Sequence, residues 1–89
     1  MLREPIIIIN KFGLHTRAAA KLVATATKFT SKIELVRNTQ VVDAKSIMGV
    51  ITLCATKGTT LDLIISGTDE IAARDAMVEL FNNRFGEAE

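Results

Sequence analysis

The chain has 89 residues, of which 48% are hydrophobic and 24% charged, with a formal net charge of +1. That supplies one core and not two, so residues 1–89 read as a single domain and intrinsic disorder is excluded. The lone Cys54 rules out an internal disulfide and fits a reducing cytoplasm, and four phenylalanines without Tyr or Trp argue against a stacking platform for single-stranded nucleic acid.

The first predicted element is a strand over Ile6–Ile9, an unbroken apolar run that implies cover on both faces. The run is far too short to span a membrane, and no cleavable signal pattern precedes it. Asn10, Lys11 and Phe12 end the strand, and Gly13 breaks the chain ahead of His15, the only histidine. A helix is predicted from Thr16 to Phe29, with Ala19, Leu22, Val23, Ala26 and Phe29 on one face and Arg17, Lys21 and Lys28 off it. Ile33, Leu35 and Arg37 alternate with Lys32, Glu34 and Val36, which predicts a half-buried strand. Asn38 and Thr39 then turn the chain into a strand over Gln40–Ala44.

Ser46 reads as the cap of a short helix over 47–55, with Ile47, Val50, Ile51 and Cys54 at helical spacing and Met48 off that stripe. Lys57, Gly58 and Thr59 lead into a last strand in which Leu61, Leu63 and Ile65 alternate with Asp62, Ile64 and Ser66. Gly67, Thr68 and Asp69 supply a break and a cap for a final helix over 70–84, where Ile71, Met77, Val78, Leu80, Phe81 and Phe85 form the apolar arc. The order βαββαβα predicts an α+β open-faced two-layer sandwich. Three helices would cover one face of a four-stranded, mostly antiparallel sheet.

The chemistry concentrates at His15. Residues 11–37 hold six basic side chains against Glu34 alone, a local charge of +5, while residues 38–89 are net acidic. If the helix starts at Thr16, His15 occupies the N-cap region above unpaired amides, where the helix dipole disfavours imidazolium and keeps the ring nucleophilic. The same amides would stabilise the oxygens of a phosphoryl group placed on the ring. Arg17 adds a planar fork of donors matched to phosphate, and Thr16 either caps the helix or donates to phosphoryl oxygens. From these residues alone a plain cap or an exposed histidine remains the alternative. Metal binding is disfavoured, since Cys54 and His15 are the only soft or borderline ligands; a serine-type triad lacks an acidic orienter near His15 in sequence.

At this point the chain resembles the HPr family, the histidine-containing phosphocarrier proteins of the bacterial phosphoenolpyruvate-dependent phosphotransferase system. The family signature Gly-Leu-His-Ala-Arg-Pro-Ala stands here as Gly13-Leu14-His15-Thr16-Arg17-Ala18-Ala19, and the segment around the family's regulatory serine matches Lys45-Ser46-Ile47-Met48-Gly49-Val50. Thr16 and Ala18 replace the usual alanine and proline, and Ala18 fixes the first helical turn less firmly. The resemblance implies a cytoplasmic monomer without cofactor or metal, not a free-standing enzyme. It would accept phosphate from Enzyme I on His15 Nδ1 and pass it to IIA-type proteins, with Arg17 stabilising the charge. It further implies Ser46 as a target of HPr kinase/phosphorylase, and Thr16, Arg17, Lys21, Ile47, Met48 and Ile51 as partner contacts. Two other readings stand beside this one. The first is a nitrogen-type regulatory carrier, favoured by the ending Glu79–Phe85; the second is a non-transferring interaction module acting through Ser46. Membrane and nucleic-acid partners are not expected.

Overall fold

Alternation of buried and exposed positions decides the architecture. In the computed structural model, which describes residues 1–89, the elements run β1 (Leu2–Ile7), α1 (Thr16–Ala26), β2 (Lys32–Arg37), β3 (Gln40–Asp43), α2 (Ile47–Thr52), β4 (Thr60–Ser66) and α3 (Glu70–Asn82). A 3-10 turn over Arg84–Gly86 follows α3. The strands form one antiparallel sheet in the order β1-β4-β2-β3. The predicted open-faced sandwich is the observed fold. Ile6, Ile33, Leu35, Leu61, Leu63 and Ile65 point under the helices and are buried, each contributing about 1.5–3 kcal/mol.

Several boundaries differ from the sequence-based expectation. β1 spans Leu2–Ile7 and not Ile6–Ile9, because its ladder with β4 begins at Leu2↔Ile65 and ends at Ile7↔Thr60. Pro5 is tolerated there because β1 is an edge strand. The expected cover on both faces is also wrong: Ile6 and Ile8 are buried while Ile7 is 54% exposed, the period of a strand with one wet face. α1 ends at Ala26, and Phe29 packs against the core from the following loop.

α2 stops at Thr52, three residues before the expected end, because Cys54 takes a left-handed conformation at φ 50°. Arg37 Nη1 donates to the Leu53 and Cys54 carbonyls at 2.6 and 3.0 Å, which satisfies groups that a longer helix would have paired internally. Leu53 is buried in place of the exposed Cys54. α3 ends at Asn82, so Phe85 reaches the core from the 3-10 turn, its ring 4.9 Å from that of Phe81. Ile71, assigned to the apolar arc, is 60% exposed. Asp69 occupies the N-cap position, but its carboxylate accepts from the Thr30 amide, the Ser31 amide and the Ser31 hydroxyl and does not cap α3.

Candidate functional site

The segment between β1 and α1 sets the site. Ile8 exchanges backbone bonds with the Gly58–Thr59 turn, which carries the chain inward to the fully buried Asn10. Gly13 then turns at φ +64°, its amide donating to the Asn10 carbonyl at 3.2 Å. A side chain there would collide with the backbone of Ala55 and Thr56, so only glycine lets these two loops touch. The Leu14 amide donates to the Ala55 carbonyl at 2.9 Å and buries the Leu14 side chain.

His15 follows at the N-cap position of α1 in an extended conformation, with its carbonyl accepting from the Ala19 amide at 2.9 Å. Its side chain makes no capping bond and is 28% exposed, so the ring is available at the surface. Thr16 is therefore the first helical residue and not the cap, and its hydroxyl is exposed. Arg17 is exposed in the first turn and enters none of the chain's ion pairs. Phe12 packs edge-on to the His15 ring with centroids 6.0 Å apart.

Glu87 is the functional-site residue that sequence reading missed. Its Oε2 meets His15 Nε2, and its Oε1 accepts from Asn10 Nδ2 at 3.0 Å. The same Asn10 amide donates to the Gly13 carbonyl at 2.8 Å, so both partners are acceptors and the amide orientation is forced. Burial works to raise the Glu87 pKa, but bonds from Asn10 and His15 and the charges of His15 and Arg17 outweigh it and hold the carboxyl below its ordinary value. The tail carrying Glu87 is anchored on either side. Lys21 Nζ donates to the Phe85 carbonyl at 2.8 Å; the Lys11 amide donates to the Glu89 carbonyl at 2.6 Å, and Lys11 Nζ lies 3.3 Å from its carboxylate.

His15, Arg17 and Lys21 line one open cavity of about 400 Å³ together with Phe12 and residues 86–89. The positive field expected from residues 11–37 is thus partly offset here by Glu87 and Glu89. Ser46 lies apart, at the N-cap of α2, with Oγ accepting from the Gly49 amide at 3.2 Å. Met48 is 67% exposed, as its place off the apolar stripe implies, and Ile47 is exposed beside it. Ile51 is half-buried against the core. No group of three or more His, Cys, Asp or Glu side chains is placed to hold a metal ion, and no helix is long and apolar enough to cross a membrane.

The family model described as PTS HPr component phosphorylation site matches residues 2–83. The chain belongs to the HPr family. The phosphocarrier protein HPr of Cupriavidus necator is 52% identical over 89 residues, covering all of both chains. The crystal structure of HPr-C-His from Thermoanaerobacter tengcongensis superposes with a TM-score of 0.96 at 43% identity, again over both full chains. An HPr dimer from the same organism matches at a TM-score of 0.79 and 44% identity, covering 98% of this chain and 100% of that one. HPr proteins are phosphocarriers of the phosphotransferase system, whose partners include Enzyme I and IIA proteins.

Proposed function

We propose that this HPr-family chain carries a phosphoryl group on His15 Nδ1, accepting it from phosphorylated Enzyme I and donating it to IIA-type proteins. The observation that carries this reading is His15 at the α1 N-cap, its ring uncommitted to capping and the Arg17 guanidinium unpaired beside it. Such a helix end accommodates phosphoryl oxygens, and Arg17 supplies bidentate donors to the transferring group, for which positioning and charge stabilisation are the main catalytic demands. Thr16 is free to donate to the same oxygens. The exposed Ile47 and Met48 offer a partner an apolar contact, the exposed Arg17 and Lys21 a basic one, and Met48 adapts its shape to more than one partner. Ile51, half-buried, would support that contact from beneath.

Ser46 serves as a cap and, in this proposal, as a regulatory phosphorylation site: a dianionic group at the start of α2 would repel an acidic partner surface. The carrier acts as a cytoplasmic monomer with no catalytic turnover of its own. Incubation with phosphoenolpyruvate and either the sugar-type or the nitrogen-type Enzyme I tests the reading. Acid-labile phosphate should appear on the chain with one of them and be lost in His15→Ala; labelling that persists in that variant overturns the site. Adding HPr kinase/phosphorylase with ATP should place acid-stable phosphate on the chain, and its absence from Ser46 removes the regulatory part alone.

A further inference from the structure

We propose that Glu87 is a positioning residue for phosphoryl transfer: it holds the proton of His15 on Nε2 and so presents Nδ1 as the acceptor. The inference rests on the carrier reading above and adds what determines the reacting atom. Glu87 lies in the tail, beyond residues 2–83 that the family model matches.

An ionised carboxylate accepts hydrogen bonds and donates none, so the ring nitrogen facing Glu87 Oε2 must carry a hydrogen. A neutral imidazole has a single N–H; with that hydrogen on Nε2, Nδ1 holds the free electron pair. The carboxylate is itself held in place. Its second oxygen is bonded to Asn10, a residue fully buried and tied by the same amide to the Gly13 carbonyl, and the Glu87 side chain is only 13% exposed. Phe85, buried against Phe81, and the Lys11–Glu89 pair pin the chain on each side of it. A rigid acceptor of this kind fixes both the tautomer and the orientation of the ring.

In the transfer step the Nδ1 electron pair attacks phosphorus of a phosphohistidine donor. A new N–P bond forms while the donor's N–P bond breaks, and that bond's electron pair returns to the donor nitrogen. The His15 ring keeps its Nε2 hydrogen throughout and gains a positive charge, which the Glu87 carboxylate neutralises at hydrogen-bond distance. Arg17 is left for the phosphoryl oxygens. One carboxylate therefore acts on the ring and one guanidinium on the phosphate.

The test combines ring ¹⁵N NMR of His15 in the free protein with the rate of phosphate uptake from phosphorylated Enzyme I. The wild-type ring, when neutral, should show a single Nε2–H tautomer. In Glu87→Gln only one oxygen serves both Asn10 Nδ2 and His15 Nε2. When that oxygen turns to Asn10, the side-chain NH2 faces Nε2 and the hydrogen moves to Nδ1. The Nδ1–H form should then be populated and uptake slowed by about tenfold, the scale of losing an outer partner of a working histidine. Glu87→Ala should give mixed tautomers and an intermediate rate, with a lower melting temperature but an unchanged far-UV circular dichroism spectrum. A wild-type ring protonated at Nδ1, or a rate unchanged in Glu87→Gln despite a shifted tautomer, overturns the proposal and leaves the carrier reading standing. Loss of the carrier reading would show differently, as phosphate on His15→Ala.

Discussion

Gly13→Ala tests the contact on which the placement of His15 depends. At φ +64° an L side chain costs about 1–2 kcal/mol in backbone strain. A Cβ would also lie 2.9 Å from Thr56 Cα and closer still to the Ala55 carbonyl oxygen, which is backbone with little room to yield. That oxygen accepts the Leu14 amide, so relieving the clash pulls on the bond that leads into α1. Overpacking of this kind adds about 1–3 kcal/mol, for a total loss of about 3 kcal/mol. In a domain of this size, that corresponds to a fall in Tm of about 12–24 °C. Gly58→Ala is the matched control, because Gly58 has φ +91° and open space where its Cβ would stand. Both changes stiffen the unfolded chain equally, so that contribution cancels in the comparison. Urea unfolding followed by circular dichroism should place Gly13→Ala about 1–3 kcal/mol below Gly58→Ala. Equal losses in the two variants would refute the close approach of the two loops.

Asp69→Asn should remove an acid-sensitive part of the stability. The Ser31 hydroxyl first, then the Thr30 amide, hold Asp69 down from 3.8 to about 2, with burial opposing. Because the folded value is depressed, the contribution is present above the unfolded value and lost as pH falls from about 4 to about 2. Wild-type and variant stability curves that run parallel through that window would count against the Asp69 clamp. Met48→Ala should change stability by no more than about 0.5 kcal/mol, since the side chain is 67% exposed. The same variant should raise the KM for Enzyme I with kcat largely kept; an unchanged KM removes Met48 from the docking surface.

What was legible in the sequence is what repeats locally. Period-two alternation in Leu61–Ile65 and Ile33–Leu35 located the strands that form the middle of the sheet, and the break at Gly13 located the start of α1. Ends were harder, because they are set by partners elsewhere in the chain. β1 runs as far as its register with β4, and α2 ends where Arg37, from β2, takes the Leu53 and Cys54 carbonyls that follow it. Glu87 was the least legible, lying 72 residues from His15 with no periodic pattern around it. The nearest signal was Phe85 followed by Gly86, an apolar residue and a turn former that fold the tail back after α3.

The same tail bears on the substitution of Ala18 for the family's proline. Proline in the first turn would fix the backbone by its ring, and alanine does not. Yet α1 still begins at Thr16, with Ala18 fully buried and Ala19 bonded to the His15 carbonyl. Order at this helix end therefore has to come from around it. Gly13 is pressed on Ala55, Asn10 is tied to Gly13, and Glu87 joins Asn10 to the His15 ring. Two of these residues, Asn10 and Glu87, are also the ones proposed to fix the ring's tautomer. Loosening the tail should therefore disturb the start of α1 more in this chain than in a relative that keeps the proline.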